Sequence, residues 1–107
     1  MTSHDFLFTY SVSPLDGSKD EHKKAADTVR RRIAELERWE KLVSVETTFV
    51  GRLNLIETLI SSKRREAKGD VTYAIELILD DLEVSSFVTI DIALLVDGLG
   101  EYMEFRI

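Results

Sequence analysis

The chain of 107 residues contains no cysteine, one proline and two histidines, and it lacks any long apolar run. Without cysteine it has no disulfide framework, no thiol nucleophile and no zinc site built on sulfur. No stretch approaches the roughly 20 apolar residues that a transmembrane helix needs. The first five residues show no basic region followed by an apolar core, so no secretory signal is expected. These absences predict a cytoplasmic protein without membrane contact.

Groups that could bind a metal or a cofactor are equally few. His4 and His22 have no partner at the spacing of a metal-ligand set or a catalytic triad, so both are expected to be solvated. The glycine-rich segment 98–100 is too short to cradle a phosphate and is typical of a turn. The acidic cluster at 80–83 lacks the spacing of a defined ion-binding loop and is interpreted as a solvated turn. The sequence therefore predicts no metal and no cofactor.

Charge is unevenly distributed along the chain. Residues 1–68 carry 13 Lys/Arg against 11 Asp/Glu, or +2, whereas residues 69–107 carry one basic and nine acidic side chains, or −8. The net charge of −6 argues against tight, non-specific duplex binding, which depends on cations that neutralise phosphates. The acidic segment is interpreted as a surface that keeps a small sheet soluble, and the other interpretation is a binding surface for a basic partner.

Hydrophobic periodicity predicts a single α+β domain over residues 1–107. The strands are predicted from alternating apolar and polar residues, at 6–13, 43–49, 71–79, 87–96 and 102–107. Gly51 is expected at the far end of the second strand or at a bulge. A hairpin turn is expected at 97–100, because its composition is typical of turns.

One long helix is predicted over 19–40, opened by a capping box of Ser18 and Glu21. Trp39 closes its apolar stripe and is expected to be buried against aromatic residues of the first two strands. Residues 52–67 fit either a second helix at 55–66 or one arm of a long hairpin. The i, i+3, i+4 grouping of their apolar residues favours the helix.

Two basic runs lie on these two predicted helices, namely Arg30, Arg31 and Arg32, and Lys63, Arg64 and Arg65. If both helices pack on the same side of the sheet, the runs could form one surface that contacts the phosphates of single-stranded RNA. Acidic residues within one turn of the runs, and the absence of interleaved aromatic residues, favour a solvated helix face instead.

The predicted strand at 87–96 is apolar on both faces, which is expected only where both faces are covered. Helices in a chain of this size cover one face, so either a second subunit or a loop must cover the other. We expect a homodimer formed through the C-terminal strands, because isologous dimers are the commonest oligomers. The candidate interface residues are Phe87, Ile92, Leu95, Tyr102 and Phe105.

The order of first strand, capped helix, Trp39 and the segment 46–53 resembles the small ferredoxin-like endoribonucleases of CRISPR adaptation and the related antitoxin ribonucleases. The resemblance covers about the first half of the chain. In that family the first strand ends in an aspartate after a Tyr-like position, and two such aspartates face each other in a dimer to hold a metal. Here Tyr10 is followed by Ser11, whose neutral hydroxyl is a poor ligand for Mg²⁺.

The resemblance implies a ferredoxin-like antiparallel sheet of four to five strands, with the helices on one face, and dimerisation through C-terminal strands. It favours a catalytically silent relative of these nucleases: a dimeric binding or regulatory protein, such as an antitoxin, an adaptor or a complex subunit, in a defence or mobile-element setting. The alternative is a stand-alone acidic inhibitor, such as a phage-encoded one, that binds a protein partner with its C-terminal surface. An active metal-dependent ribonuclease is the least favoured function.

Overall fold

The computed structural model describes all 107 residues and contains two helices and one five-stranded antiparallel sheet. The elements are β1 (Thr2–Pro14), α1 (Asp20–Ala34), β2 (Glu40–Lys41), β3 (Thr48–Leu55), α2 (Ile60–Leu82), β4 (Val88–Val96) and β5 (Met103–Arg106). The α+β prediction is confirmed. The first six elements follow the β-α-β-β-α-β order of ferredoxin-like domains. The strand order is β2-β3-β1-β4-β5, and the added β5 makes it differ from the usual ferredoxin-like order.

The central strand, β1, pairs over different lengths with its two neighbours. Residues 2–9 pair with β3, and residues 6–14 pair with β4. The N–H of Tyr10 still reaches the carbonyl of Thr47, at 3.0 Å, but no ladder with β3 continues beyond it. The last residues of β1 therefore have one edge without a neighbouring strand, and that edge faces the end of α1.

Both helices cover the same face of the sheet, and alternate residues of each long strand are buried beneath them. In β1 these are Phe6, Phe8, Tyr10 and Val12. Trp39 packs edge-to-face on Phe6 and Phe8, with ring centroids 5.2 and 5.6 Å away. The predicted burial of Trp39 is confirmed, although α1 ends at Ala34 and the indole is supplied by the segment that follows the helix.

Gly51 lies inside β3, directly across from Phe6, and marks neither a strand end nor a bulge. A Cβ at this position would lie 2.9 Å from Cδ1 of Trp39 and 3.1 Å from Cε1 of Phe6. The glycine is therefore explained by the close approach of the indole to the backbone of β3.

The predicted strand at 71–79 is wrong, because these residues belong to α2. The second helix is real, but it runs from Ile60 to Leu82 and not over 55–66. Its buried residues follow a helical spacing, namely Ala67, Val71, Ala74, Ile75, Ile78 and Leu79. Tyr73 and Leu77 are 60% and 50% exposed on the outer side of the helix, and these two apolar residues created the apparent alternation.

The segments before α1 and β3 also differ from expectation. Ser18 donates its backbone N–H and its hydroxyl to the Asp16 carboxylate, so the capping box with Glu21 does not form. His22 is buried, stacks on Phe87 and accepts the Asp16 N–H at 3.0 Å. The second predicted strand begins at residue 48 and not at 43, because residues 42–47 form a loop that leaves the two valines exposed.

The predicted strand at 87–96 and the turn that follows it are confirmed by β4, β5 and the hairpin between them. Gly98 and Gly100 have φ angles of 82° and 90°, a backbone conformation that favours glycine. Arg64 of α2 donates to the carbonyls of Leu99 and Glu101 at 2.7 and 2.6 Å. These two bonds attach the hairpin turn to the first half of α2.

Candidate functional site

Ser11 is exposed on the face of the sheet opposite the helices, which we call the open face. Directly across from it on β4 lies Asp91. Arg106 of β5 donates to both oxygens of that carboxylate, at 2.8 and 3.2 Å, and lowers the pKa of Asp91. Ser11 therefore offers a neutral hydroxyl on the open face, and the carboxylate across from it is already paired with a cation.

A cleft of ≈ 660 Å³ opens beside Ser11, between the open edge of β1, the end of α1 and the loop 42–47. We call it the Ser11 cleft. Its polar lining comes from Tyr10, Ser11, Arg30, Arg31, Lys41, Glu46 and Thr47. The cleft exists because the ladder between β1 and β3 ends before β1 itself ends, so the last residues of β1 have no neighbouring strand on that side.

Arg30 is held in place at the wall of the cleft. Its Nη2 donates to the carbonyl of Val12 at 2.7 Å, and its Nη1 donates to the carboxylate of Asp27, one turn earlier on α1. The first bond occupies an acceptor of the unpaired β1 edge. Arg30 therefore links α1 to β1 at the wall of the cleft.

Tyr10 and Glu46 form the part of the cleft nearest the loop. Burial raises the pKa of the Tyr10 phenol, and the nearby Glu46 carboxylate raises it further. An ordinary phenol, with a pKa of 10.0, already carries its proton at neutral pH, so Tyr10 offers an O–H donor. Glu46 is exposed and is the one carboxylate in the lining of the cleft.

The two basic runs lie at different places in the fold. Arg30 and Arg31 line the Ser11 cleft, whereas Arg32 points away and pairs with Asp81 near the end of α2, at 2.9 Å. The second run lies in the first two turns of α2, where Arg64 holds the hairpin turn. A helix rises about 1.5 Å per residue, so residues 64 and 81 are about 25 Å apart along α2. The runs are not brought together into one basic surface.

The open face carries a row of apolar side chains that crosses the sheet. Leu7 pairs directly with Val50 on one side and with Leu95 on the other. Leu94 pairs with Met103, so the antiparallel register places Tyr102 beside Leu95 and continues the row. Leu7, Leu95 and Tyr102 are 38%, 47% and 66% exposed. We call this row the apolar stripe, and no element of the chain covers it.

Only part of the predicted dimer interface reaches the open face. Leu95 and Tyr102 belong to the apolar stripe. Ile92 is 1% exposed and faces the helices, as does its cross-strand partner Phe105, over which the Lys68 ammonium lies at 5.0 Å. Phe87 precedes β4 and stacks on His22, with ring centroids 5.0 Å apart. Side chains alternate along a strand, so these residues could not all share one face.

Six of the nine acidic residues after position 68 are divided between two surfaces. Asp70, Glu76, Asp80 and Asp81 belong to α2, whereas Asp91 and Glu104 lie on β4 and β5. Burial raises the pKa of the Asp70 carboxyl, and the positive charge of the nearby Arg38 offsets part of this rise. Because the helices and the open face are on opposite sides of the sheet, these acids do not form one continuous surface.

Lys41 and Glu46 were missed by the sequence reasoning. Lys41 belongs to a strand of two residues, and Glu46 to an irregular loop, so neither carries a periodic signal. They join the cleft because the short β2–β3 hairpin folds back beside β1. Only the pairing register, in which β1 extends beyond its ladder with β3, could have indicated them.

The role of these residues has to be argued from their arrangement. No group of three or more His, Cys, Asp or Glu side chains is placed as a set of metal ligands. None of the helices combines the length and the apolar character needed to cross a bilayer. The chain matches no protein-family model, no curated protein and no solved structure.

Proposed function

We propose that the protein is a non-catalytic, homodimeric binding protein that acts as an antitoxin, an adaptor or a subunit of a nucleic-acid-processing complex. The observation that carries the proposal is the environment of Ser11. A neutral hydroxyl occupies the position where the resembling nucleases have an aspartate, and Asp91 across from it is neutralised by Arg106. Such a site can still bind a partner, but it lacks the negative charge needed to hold Mg²⁺ between two subunits.

The apolar stripe supports the dimeric part of the proposal. Its four residues lie side by side on neighbouring strands, and the sheet has no second layer on that side. Ion pairs lie on either side of the stripe, Asp5 with Arg52 and Asp91 with Arg106, at 2.9 and 2.8 Å. An apolar centre with a charged margin is typical of a subunit interface. A two-fold axis through the stripe would place each copy's apolar centre on the other's.

The catalytic part is tested by nuclease assays on the natural protein and on Ser11→Asp. We expect the natural protein not to cut single-stranded RNA or DNA in Mg²⁺ or Mn²⁺. Ser11→Asp places a second carboxylate across from Asp91 and should bind Mn²⁺ measurably in calorimetry, whereas Ser11→Ala, the neutral control, should not. Metal-dependent cleavage by the natural protein that Glu46→Gln abolishes would place catalysis in the Ser11 cleft and contradict the proposal.

The dimeric part is tested by light scattering on two leucine-to-glutamate variants. Leu95 of the stripe and Leu77 of α2 are similarly exposed, at 47% and 50%. We expect the natural protein and Leu77→Glu to be dimers at micromolar concentration and Leu95→Glu to be a monomer, because a buried unpaired carboxylate is costly. A monomeric natural protein, or a dimer that Leu95→Glu leaves intact, contradicts dimerisation through the open face.

A further inference from the structure

The Ser11 cleft concentrates positive charge in an acidic protein. Arg30, Arg31 and Lys41 are cationic, Glu46 is anionic, and Arg30 is paired with Asp27, so the charged lining together with this ion pair sums to a formal +1, whereas the whole chain carries −6. A concave site lined by one sign of charge focuses its field and raises the local concentration of the opposite charge. The cleft therefore favours an anionic ligand.

The open edge of β1 adds backbone donors to these cations. In an antiparallel strand the N–H and the C=O of one residue point to the same side. The Val12 carbonyl accepts from Arg30, so the Val12 N–H also points towards the α1 side, where no strand pairs with it. Unpaired strand N–H groups are available to a ligand.

Neutral hydroxyl donors complete the arrangement. The hydroxyls of Tyr10 and Thr47 lie at the loop end of the cleft, whereas the Ser11 side chain points to the open face. Guanidinium groups match the oxygens of a phosphate in a planar fork, and an ammonium acts as a point charge. Arg31, Lys41, the hydroxyls of Tyr10 and Thr47 and the Val12 N–H together form a donor set suited to a phosphate group.

We propose that the Ser11 cleft binds a phosphate monoester of nucleotide size, with Arg31 and Lys41 as the cations that contact the phosphate and Arg30 as a further cation in the wall of the cleft. A phosphate monoester carries about −1.5 to −2 charges at neutral pH, and a backbone phosphodiester carries one. A positive concave site attracts the more highly charged monoester more strongly. The volume of ≈ 660 Å³ is within the usual range of small-molecule sites and exceeds the needs of phosphate alone.

The probe is adenosine 5′-monophosphate, titrated into the natural protein while the backbone amide signals of Ser11 and Val12 are followed by NMR. Adenosine and inorganic phosphate are titrated in parallel. We expect saturable shifts with the nucleotide, weaker ones with phosphate and none with adenosine. No shift with either phosphate compound, or equal affinity for adenosine and its monophosphate, overturns the proposal.

The variants Arg31→Gln and Lys41→Gln assign the site to its residues. Arg32→Gln is the matched control, because Arg32 is next to Arg31 in the same helical turn but pairs with Asp81 outside the cleft. Each cleft variant should lose about tenfold in affinity, as expected for a hydrogen bond to a charged group, and the control should lose less than about twofold. A control that loses as much as Arg31→Gln overturns the proposal.

A further comparison distinguishes a free nucleotide from the 5′ end of an RNA as the source of the phosphate. A short oligoribonucleotide is compared with and without a 5′-phosphate. If the phosphorylated oligonucleotide binds more tightly than adenosine 5′-monophosphate, the ligand is an RNA end. If it binds more weakly than adenosine 5′-monophosphate, the ligand is a free nucleotide. Both results support phosphate binding in the cleft. Equal binding of the two oligonucleotides indicates backbone contacts and overturns it. Monomeric Leu95→Glu should bind the nucleotide unchanged, which separates this proposal from the dimer.

Discussion

The two faces of the sheet are made by the same strands but differ in how their side chains are paired. On the helix-covered face Phe8, Phe49 and Leu94 are fully buried in one continuous core. On the open face the neighbouring residues Leu7 and Leu95 stay partly exposed, and charged side chains pair across the strands beside them. The comparison indicates that folding stability comes from the covered face, and that the open face remains free for association.

The largest expected effect is on the covered face. Trp39→Ala removes the indole that packs on Phe6 and Phe8, and large-to-small core changes of this kind cost about 3–5 kcal/mol. Unfolding in urea, followed by circular dichroism because Trp39 is the only tryptophan, measures the loss. Val43→Ala, at an exposed loop position after the same helix, is the control and should be almost neutral. A near-silent Trp39→Ala would show that the covered face does not hold the stability.

A smaller effect is expected from Gly51→Ala, which adds a methyl group under the same indole. The new Cβ would lie 2.9 Å from Trp39 Cδ1, so the ring or the strand must move, and overpacking of this kind costs about 1–3 kcal/mol. Gly69→Ala is the matched change in open space, inside α2, and should stabilise the protein by about 0.5–1 kcal/mol. Opposite signs for the two variants are the expected result, and equal signs contradict this packing.

The sequence predicted the covered face better than it predicted its elements. Burial of Trp39 against Phe6 and Phe8 is predicted because the aromatic residues of the first strand alternate and Trp39 closes the apolar stripe of the helix. The segment 71–79 was assigned to a strand because exposed Tyr73 and Leu77 supplied apolar residues at the positions that alternation requires. Local pattern could not distinguish the two, since the buried i, i+3, i+4 set and the alternating set share residues. Burial against β3 and β4 decides for the helix.

The candidate site was only partly predictable. Ser11 and two of the three arginines were identified from the chain, because a family resemblance and a basic run drew attention to them. The cleft itself depends on where the ladder between β1 and β3 ends, which is a property of register. Lys41 and Glu46 belong to the cleft only because of that register. The sequence therefore indicated some of the residues of the site but not the concavity that brings them together.

On the open face, Leu7→Ala distinguishes a free surface from a subunit interface. Leu7 is partly exposed at the centre of the apolar stripe, so in an isolated chain its truncation should cost about 1 kcal/mol. In a dimer the cost should grow as the protein concentration rises above the dissociation constant, because association adds to stability. Urea unfolding at two protein concentrations measures the difference. A cost that does not change with concentration would indicate that the stripe is not buried between subunits.

The smallest effect is expected from Arg106→Gln, which removes the cation beside Asp91. The hydrogen bonds from Arg106 hold the pKa of Asp91 below its ordinary value of 3.8. A carboxyl whose pKa is lower in the folded state adds stability above its unfolded value, and this contribution is lost as pH falls through the folded value. The natural protein should therefore exceed Arg106→Gln in stability at neutral pH, by a small amount because the pair is exposed, and the difference should vanish in acid.

An NMR titration of the Asp91 carboxyl gives the direct measurement for this pair. In Arg106→Gln the midpoint should rise towards the ordinary aspartate value, because both the hydrogen bonds and the positive charge are removed. Arg52→Gln, the same change in the Asp5 pair on the same face, should leave the Asp91 midpoint unchanged. An unchanged midpoint in Arg106→Gln would show that Asp91 is not neutralised by its neighbour. The carboxylate across from Ser11 would then be free to bind a cation, and the case for a silent site would lose its electrostatic basis.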